Sequence, residues 1–132
     1  PGRVAGLIGI AAAPDFTEDG MWAEMTDAQR VELGERGVIL APSEYGDPYP
    51  ITRRLIEDGR RQLMLRAPLS LPFPVRLLHG SAAADVPMTV ALRLFAHASG
   101  PDIRLTLVKD ADHRFSTPDT LALLAGTLDA LP

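Results

Sequence analysis

Two apolar segments, each followed by a histidine, constrain the fold more than any other feature of this sequence. The first segment, Val75–Leu78, ends at His79-Gly80, and the second, Ile103–Val108, ends at an acidic loop that carries His113. Strands connected through helices run parallel, and ligands and catalytic groups collect at the carboxyl edge of such a sheet. The sequence therefore predicts an α/β protein with chemically competent side chains at one sheet edge.

The chain divides into three predicted segments. Residues 1–13 hold a continuous apolar run from Val4, typical of a strand buried on both faces. Residues 14–74 are too long for an ordinary connection between strands and are predicted to form a cap over the sheet edge. Residues 75–132 alternate strands with helices. We expect a three-layer αβα architecture with a mostly parallel sheet and a cap insertion.

Local signals place the helices. Thr26 and Gln29 have the spacing of a capping box, so a helix is expected from there toward Gly37. Residues 38–41 are a short strand or an extended segment, and 43–50 are a loop. Apolar residues at helical spacing predict a helix over Ile51–Leu65. Two further helices are expected over 87–98 and from Pro118 onward.

Composition excludes several classes of protein. The net charge of −4 and pI near 5.3 argue against a nucleic-acid partner, which would need a basic surface. Without cysteine there is no disulfide framework and no thiol nucleophile, which fits a cytoplasmic protein. No apolar stretch has membrane-spanning length, and no signal peptide is recognisable. Because the sequence begins at Pro1 without Met, we expect upstream residues in the source protein.

The residue pattern leaves the roles of several side chains open. His113 can exchange protons near neutral pH, but it can equally be an exposed loop histidine. Asp85 can act as an acid or as the N-cap of the helix that begins at Pro87. His79 is expected to have a structural role, and His97 none in chemistry. A set of apolar side chains in the cap could line an acyl pocket or simply pack: Met21, Trp22, Met25, Tyr45 and Tyr49.

Residues 77–80 (Leu-Leu-His-Gly), Val86-Pro87 and the loop 107–114 resemble the C-terminal half of serine hydrolases of the α/β-hydrolase family. The similarity is strongest to serine esterases and acyl-protein thioesterases, and residues 3–15 resemble the strand after the nucleophile helix in that group. The resemblance implies that His113 is the general base of a Ser-acid-His triad. It implies hydrolysis of carboxylic esters or thioesters through an acyl-enzyme.

The chain departs from the family pattern at two positions. No serine here stands in Gly-x-Ser-x-Gly, so the resemblance places the nucleophile upstream of Pro1. The usual acid position holds Ala83, and Asp85 follows two residues later. Asp85 could be the acid of the triad if the loop is shifted, or another carboxylate could be the acid. Alternatively, the acid site could be degraded. A degraded site would make the chain a non-catalytic pseudoenzyme or binding domain.

Expectations about ligands and partners follow from these assignments. No His, Asp and Glu set has metal-ligand spacing and no phosphate-cradling loop is present, so neither a metal nor another cofactor is expected. The expected substrate is a small acyl ester or thioester. We expect the chain alone to be inactive. We also expect it either to associate with the missing N-terminal half or to self-associate, because the first strand lacks a neighbour.

Overall fold

A computed structural model describes residues 2–43 and 46–132. The described residues form two compact units, one of residues 1–14 with 65–132, and one of residues 15–64. The predicted cap boundary at residue 74 differs from the end of the second unit at Met64. The reason is that Leu65 and Leu69 belong to the apolar cluster around Val75 in the first unit.

The first unit is built on a parallel three-stranded sheet. Its strands are β1 (Leu7–Ile10), β5 (Val75–Gly80) and β7 (Ile103–Val108), in the order β1-β5-β7. Both pairings are parallel, with Leu7 opposite Val75 and Val75 opposite Ile103. The predicted first strand is shorter than its apolar run, because β1 ends at Ile10 and Ala11 turns out of the sheet with φ of 45°.

Helices flank this sheet. Helix α3 (Met88–His97) packs on β5 and β7, and Leu94 joins the buried cluster with Val75 and Leu77. Helix α4 (Pro118–Asp129) begins with Thr117 as N-cap and Pro118 in its first turn, as the sequence predicts. Two-residue strands β4 (Leu69–Ser70) and β6 (Ala98–Ser99) form a separate parallel pair.

The second unit contains a helical layer and a hairpin. A π-helix over Phe16–Trp22 precedes α1 (Asp27–Arg36), and then come β2 (Val38–Ala41), β3 (Tyr49–Thr52) and α2 (Arg53–Gly59). The capping box of Thr26 with Gln29 and the left-handed Gly37 at the end of α1 confirm the predicted bounds of this helix. A hydrogen bond of 2.6 Å from Met64 N to Asp15 Oδ1 joins the first and last residues of the unit.

The prediction of a helix over Ile51–Leu65 is wrong at both ends. Ile51 lies in β3, opposite Ile39 of β2, and both side chains are buried with Leu33 and Ile56. The helix that follows is only Arg53–Gly59, capped by the Thr52 hydroxyl. Burial of Ile51 in the hairpin outweighs the helical spacing of the apolar residues. Tyr45, placed by sequence among candidate pocket residues, lies outside the described residues.

At the amino edge of the three-stranded sheet, Asp102 bridges two arginines. Arg76 Nη2 lies 2.7 Å from Asp102 Oδ2, and Arg104 Nε lies 3.0 Å from Oδ1. The hydrogen bond from Arg76 lowers the pKa of Asp102 below its ordinary value, partly opposed by desolvation of the carboxylate. The ion pairs therefore favour the folded state only while Asp102 is ionised.

We expect Asp102→Asn to lower the free energy of unfolding at pH 7. A carboxyl whose folded pKa is depressed stabilises the fold above its unfolded pKa of about 3.9, and loses that effect as pH falls through the folded pKa. Urea unfolding from pH 7 down to pH 2 should show the gap between wild type and variant closing on acidification. Asp58→Asn, which breaks the exposed pair of Asp58 with Arg61, is the control with little effect. A gap that is independent of pH would contradict this account.

Candidate active site

The acid turn (residues 81–87, after β5) and the histidine loop (residues 109–117, after β7) meet at the carboxyl edge of the sheet. His113 Nδ1 lies 3.2 Å from Asp85 Oδ2. The His113 side chain is 29% exposed and that of Asp85 is 49% exposed, so the pair is open to solvent on one side. An ionised carboxylate only accepts hydrogen bonds, so the geometry suits a proton on Nδ1 and a lone pair on Nε2. Such an imidazole is oriented to accept a proton at Nε2.

Glycine at position 80 is required for this meeting of loops. A Cβ built there would lie 2.0 Å from the carbonyl oxygen of Ala111 and 2.7 Å from that of Asp112. These are backbone atoms of the histidine loop, so a side chain would force the whole loop away. Ala82 N also donates to Ala111 O at 3.0 Å. Gly80 thereby sets how closely the loop of His113 approaches β5.

His79 anchors the acid turn, which carries Asp85. It is 1% exposed, and its Nε2 lies 2.8 Å from the carbonyl oxygen of Val86, the residue after Asp85. Since a carbonyl only accepts, Nε2 carries the proton and Nδ1 has the lone pair. His79 Nδ1 has no hydrogen-bond partner in residues 2–43 and 46–132. The structural role predicted for His79 thus takes the form of an anchor for the acid turn.

The histidine loop is fixed by its own backbone contacts. Asp112 Oδ1 accepts hydrogen bonds from the N–H groups of Arg114 and Phe115, and Asp110 N donates to the hydroxyl of Ser81. Phe115 is 1% exposed with φ of 52°, a conformation that aromatic residues rarely adopt. Burial of the Phe115 ring and the hydrogen bonds accepted by the Asp112 carboxylate fix the backbone on both sides of His113.

Similarity to solved structures identifies the fold. A protein of Agrobacterium vitis S4 described as a hydrolase superposes with a TM-score of 0.92 at 40% sequence identity, over 97% of this chain and 49% of its own. Mouse alpha/beta hydrolase domain-containing protein 10 superposes with a TM-score of 0.84 at 29% identity, over 96% of this chain and 51% of its own. The chain has the α/β-hydrolase fold.

Sequence comparison agrees with this assignment. The chain is 32% identical over 133 residues to rat mitochondrial palmitoyl-protein thioesterase ABHD10, covering 99% of the chain and 44% of that relative. The human protein of the same name is 29% identical over 133 residues. The chain thus spans a little under half the length of these relatives. No family model matches it.

The structure brings Asp85 and His113 together and gives other predicted residues different roles. Asp85 and His113 are in contact, whereas Ala83, at the usual acid position, is a buried residue whose N–H donates to Gly80 O. Asp85 does not cap α3, because the N-cap is Pro87 and no side chain caps that helix. His97, assigned no chemistry, bonds to the carbonyl oxygen of Ala67. The His-Gly pair in the sequence draws attention to Gly80, but no sequence pattern predicts the clash that excludes a side chain there.

In residues 2–43 and 46–132, no cluster of three or more His, Asp or Glu side chains has the arrangement of a metal site. No helix in the same ranges is long and apolar enough to cross a membrane.

Proposed function

We propose that this chain supplies the acid and the general base of a serine hydrolase that acts on carboxylic esters or thioesters. The observation that carries the proposal is the 3.2 Å contact between Asp85 Oδ2 and His113 Nδ1 at the carboxyl ends of two parallel strands. His113 would take the proton of a serine hydroxyl through Nε2 and return it to the leaving group. Asp85 would orient the imidazole and stabilise its cation.

In this proposal the acid has moved from the usual position. Ala83 fills that position with a buried methyl group, and Asp85 reaches the histidine from two residues farther along the same turn. The contact favours a working acid over the alternative of a degraded site in a pseudoenzyme or binding domain. Relatives named as thioesterases support the ester or thioester class of substrate. The predicted cytoplasmic location stays a prediction, since those relatives are named as mitochondrial.

The nucleophile is proposed to come from outside these 132 residues. The five serines are Ser43, Ser70, Ser81, Ser99 and Ser116, and none has the glycine spacing of a nucleophile elbow. β1 has a strand neighbour only on the β5 side in residues 2–43 and 46–132, and Leu7 is 41% exposed. We propose that the nucleophile-bearing half, or a second copy of the chain, covers this open edge.

The isolated chain is expected not to hydrolyse short acyl nitrophenyl esters or thioesters above the background rate. The reason is that a positioned imidazole without its serine cannot form an acyl-enzyme. The measurement is initial rate of nitrophenol release, with His113→Ala as the matched control. Turnover by the isolated chain that disappears in His113→Ala would contradict the proposal that the nucleophilic serine lies outside these 132 residues.

Covalent labelling distinguishes a serine hydrolase from the alternative of a non-catalytic pseudoenzyme or binding domain. The source polypeptide that contains this chain should react with a fluorophosphonate probe at a serine outside these residues, because such probes modify activated serines. Mass spectrometry of the labelled peptide locates that serine. An unlabelled polypeptide that is nevertheless folded would favour the pseudoenzyme alternative.

A further inference from the structure

His79 is a buried imidazole to which the proposed triad assigns no chemistry. It is 1% exposed and lies in β5, opposite Leu107 of β7, so its backbone belongs to the sheet. Its Nε2 lies 2.8 Å from the carbonyl oxygen of Val86. Its Nδ1 is buried without a hydrogen-bond partner in residues 2–43 and 46–132. The two nitrogens of the ring therefore contribute differently to the fold.

The stability of the fold does not by itself favour histidine at position 79. A buried hydrogen bond contributes little net free energy, because the same groups bond to water in the unfolded chain. A buried polar atom without a partner costs as much or more, and His79 Nδ1 is such an atom. An apolar side chain of similar volume would avoid this cost. Stability alone therefore does not account for the bond between His79 and Val86.

Hydrogen bonds hold the acid turn at its two ends. At the start, the N–H groups of Ser81 and Ala82 donate to backbone carbonyl oxygens of β7 and of the histidine loop. Near the end, His79 donates to the carbonyl oxygen of Val86. Within the described ranges, 2–43 and 46–132, this is the only hydrogen bond that the backbone of residues 84–86 makes. The course of these three residues, which include the proposed acid, therefore depends on His79.

Pro87 strengthens this dependence. Proline has no N–H with which to bond to a neighbouring element, and it restricts the residue before it to extended backbone. No side chain caps α3 at this point either. The carbonyl group of Val86 is therefore the point at which the protein holds this end of the turn.

We propose that His79 is a positioning residue for the general base. By holding Val86, it keeps the carboxylate of Asp85 3.2 Å from Nδ1 of His113. This carboxylate in turn keeps the proton of the neutral imidazole on Nδ1. The inference rests on the proposed function, because the triad needs the lone pair on Nε2 of His113.

The three imidazoles of the chain are expected to carry their protons on different nitrogens. His79 and His97 each have Nε2 2.8 Å from a backbone carbonyl oxygen, which only accepts, so both are Nε2–H tautomers. His113 is expected to be the Nδ1–H tautomer. Nitrogen chemical shifts distinguish the two forms at a pH where the imidazoles are neutral. The signal of His113 therefore reports on its contact with Asp85 without any need for turnover.

His79→Leu removes the bond to Val86 while keeping a buried side chain of similar size. We expect the population of His113 to move from Nδ1–H toward Nε2–H. His79→Gln should retain the Nδ1–H form, because the amide nitrogen of glutamine can donate from the place of Nε2. His97→Leu is the matched control and should leave His113 unchanged, since it removes an imidazole–carbonyl bond of the same length outside the acid turn.

An unchanged His113 tautomer in His79→Leu would overturn the proposal, as would an equal change in His97→Leu or in His79→Gln. If His79→Leu fails to fold by circular dichroism, His79→Asn takes its place. The amide of asparagine ends one bond short of the position of Nε2, so this variant should lose the Nδ1–H form that His79→Gln keeps. Equal tautomer populations in the asparagine and glutamine variants are then the result that overturns the proposal.

Kinetics give a second readout in the proposed hydrolase that contains this chain. His79→Leu should lower kcat about 10²-fold, the cost of a misplacement of about 1 Å at the reacting groups, with little change in KM. His79→Gln should restore most of kcat. A serine that is not labelled by fluorophosphonate would contradict the proposed hydrolase, whereas a labelled enzyme with an unchanged His113 tautomer in His79→Leu would contradict only the role of His79.

Discussion

Replacing Asp85 by asparagine should lower kcat of the proposed hydrolase that contains this chain by about 10⁴-fold, which is the cost of losing the carboxylate in a Ser-His-Asp triad. The side-chain amide of asparagine can donate a hydrogen bond to Nδ1 of His113, which favours the tautomer with its proton on Nε2, and that tautomer cannot accept a proton at Nε2. The measurement is kcat and KM for an acyl nitrophenyl ester. KM should change far less than kcat, because Asp85 is proposed to act on the histidine and not on bound substrate.

Asp110→Asn is the matched control for this variant. Asp110 lies three positions before His113 in the same loop, is exposed and pairs with Lys109. Its φ of 60° is a conformation that asparagine adopts readily, so the loop should be retained. Equal kcat losses in the two variants would mean that charge near the loop matters and that Asp85 has no specific role.

The tautomer of His113 can also be observed in the isolated chain, where no turnover is needed. Nitrogen chemical shifts of the neutral imidazole should show the proton on Nδ1 in the wild type and a shift of the population toward Nε2–H in Asp85→Asn. Loss of activity with an unchanged tautomer would contradict the proposed orienting role of Asp85.

Gly80→Ala should destabilise the fold by about 3 kcal/mol or more, at the upper end of the cost of overpacking a rigid site. The added Cβ would lie 2.0 Å from Ala111 O, and backbone atoms cannot rotate away as a flexible side chain can. Urea unfolding followed by circular dichroism measures the loss. The same displacement of the loop should separate His113 from Asp85, so the Nδ1 tautomer should be lost as well.

Gly126→Ala provides a control with the opposite sign. Gly126 lies in α4, and a Cβ there meets nothing within 4 Å. Alanine should stabilise the chain by about 1 kcal/mol, through its higher helix propensity. A Gly80→Ala variant as stable as wild type would show that the histidine loop can retreat, and that Gly80 does not set its position.

The sequence predicts best those elements whose signals are local. The Thr26–Gln29 capping box, the Thr117-Pro118 helix start and the two strands ending near His79 and His113 depend on residues that are close in the chain, and the structure contains all of them. The strand ends were sufficient to place Asp85 and His113 at one sheet edge.

Features that depend on distant partners were missed. Ile51 has helical spacing to Leu55, but its burial against Ile39 in the β2–β3 hairpin decides its structure. The π-helix over Phe16–Trp22 has no signature in the sequence. The sequence left Asp85 as one of several alternatives for the acid, because which carboxylate lies beside His113 depends on the path of a loop in three dimensions.

The hydrogen bond from Met64 N to Asp15 Oδ1 has a consequence for the order in which the chain folds. β1 and β5 must find each other across the whole intervening unit, since Leu7 pairs with Val75. The entropy lost in closing a loop rises with the logarithm of its length, and such long-range pairings slow folding. Once residues 15–64 have folded with their ends joined at Asp15 and Met64, only residues 11–14 and 65–74 separate this unit from the two strands. Early folding of this unit would hold the ends of the insertion together. The insertion would then slow the pairing of β1 with β5 only slightly.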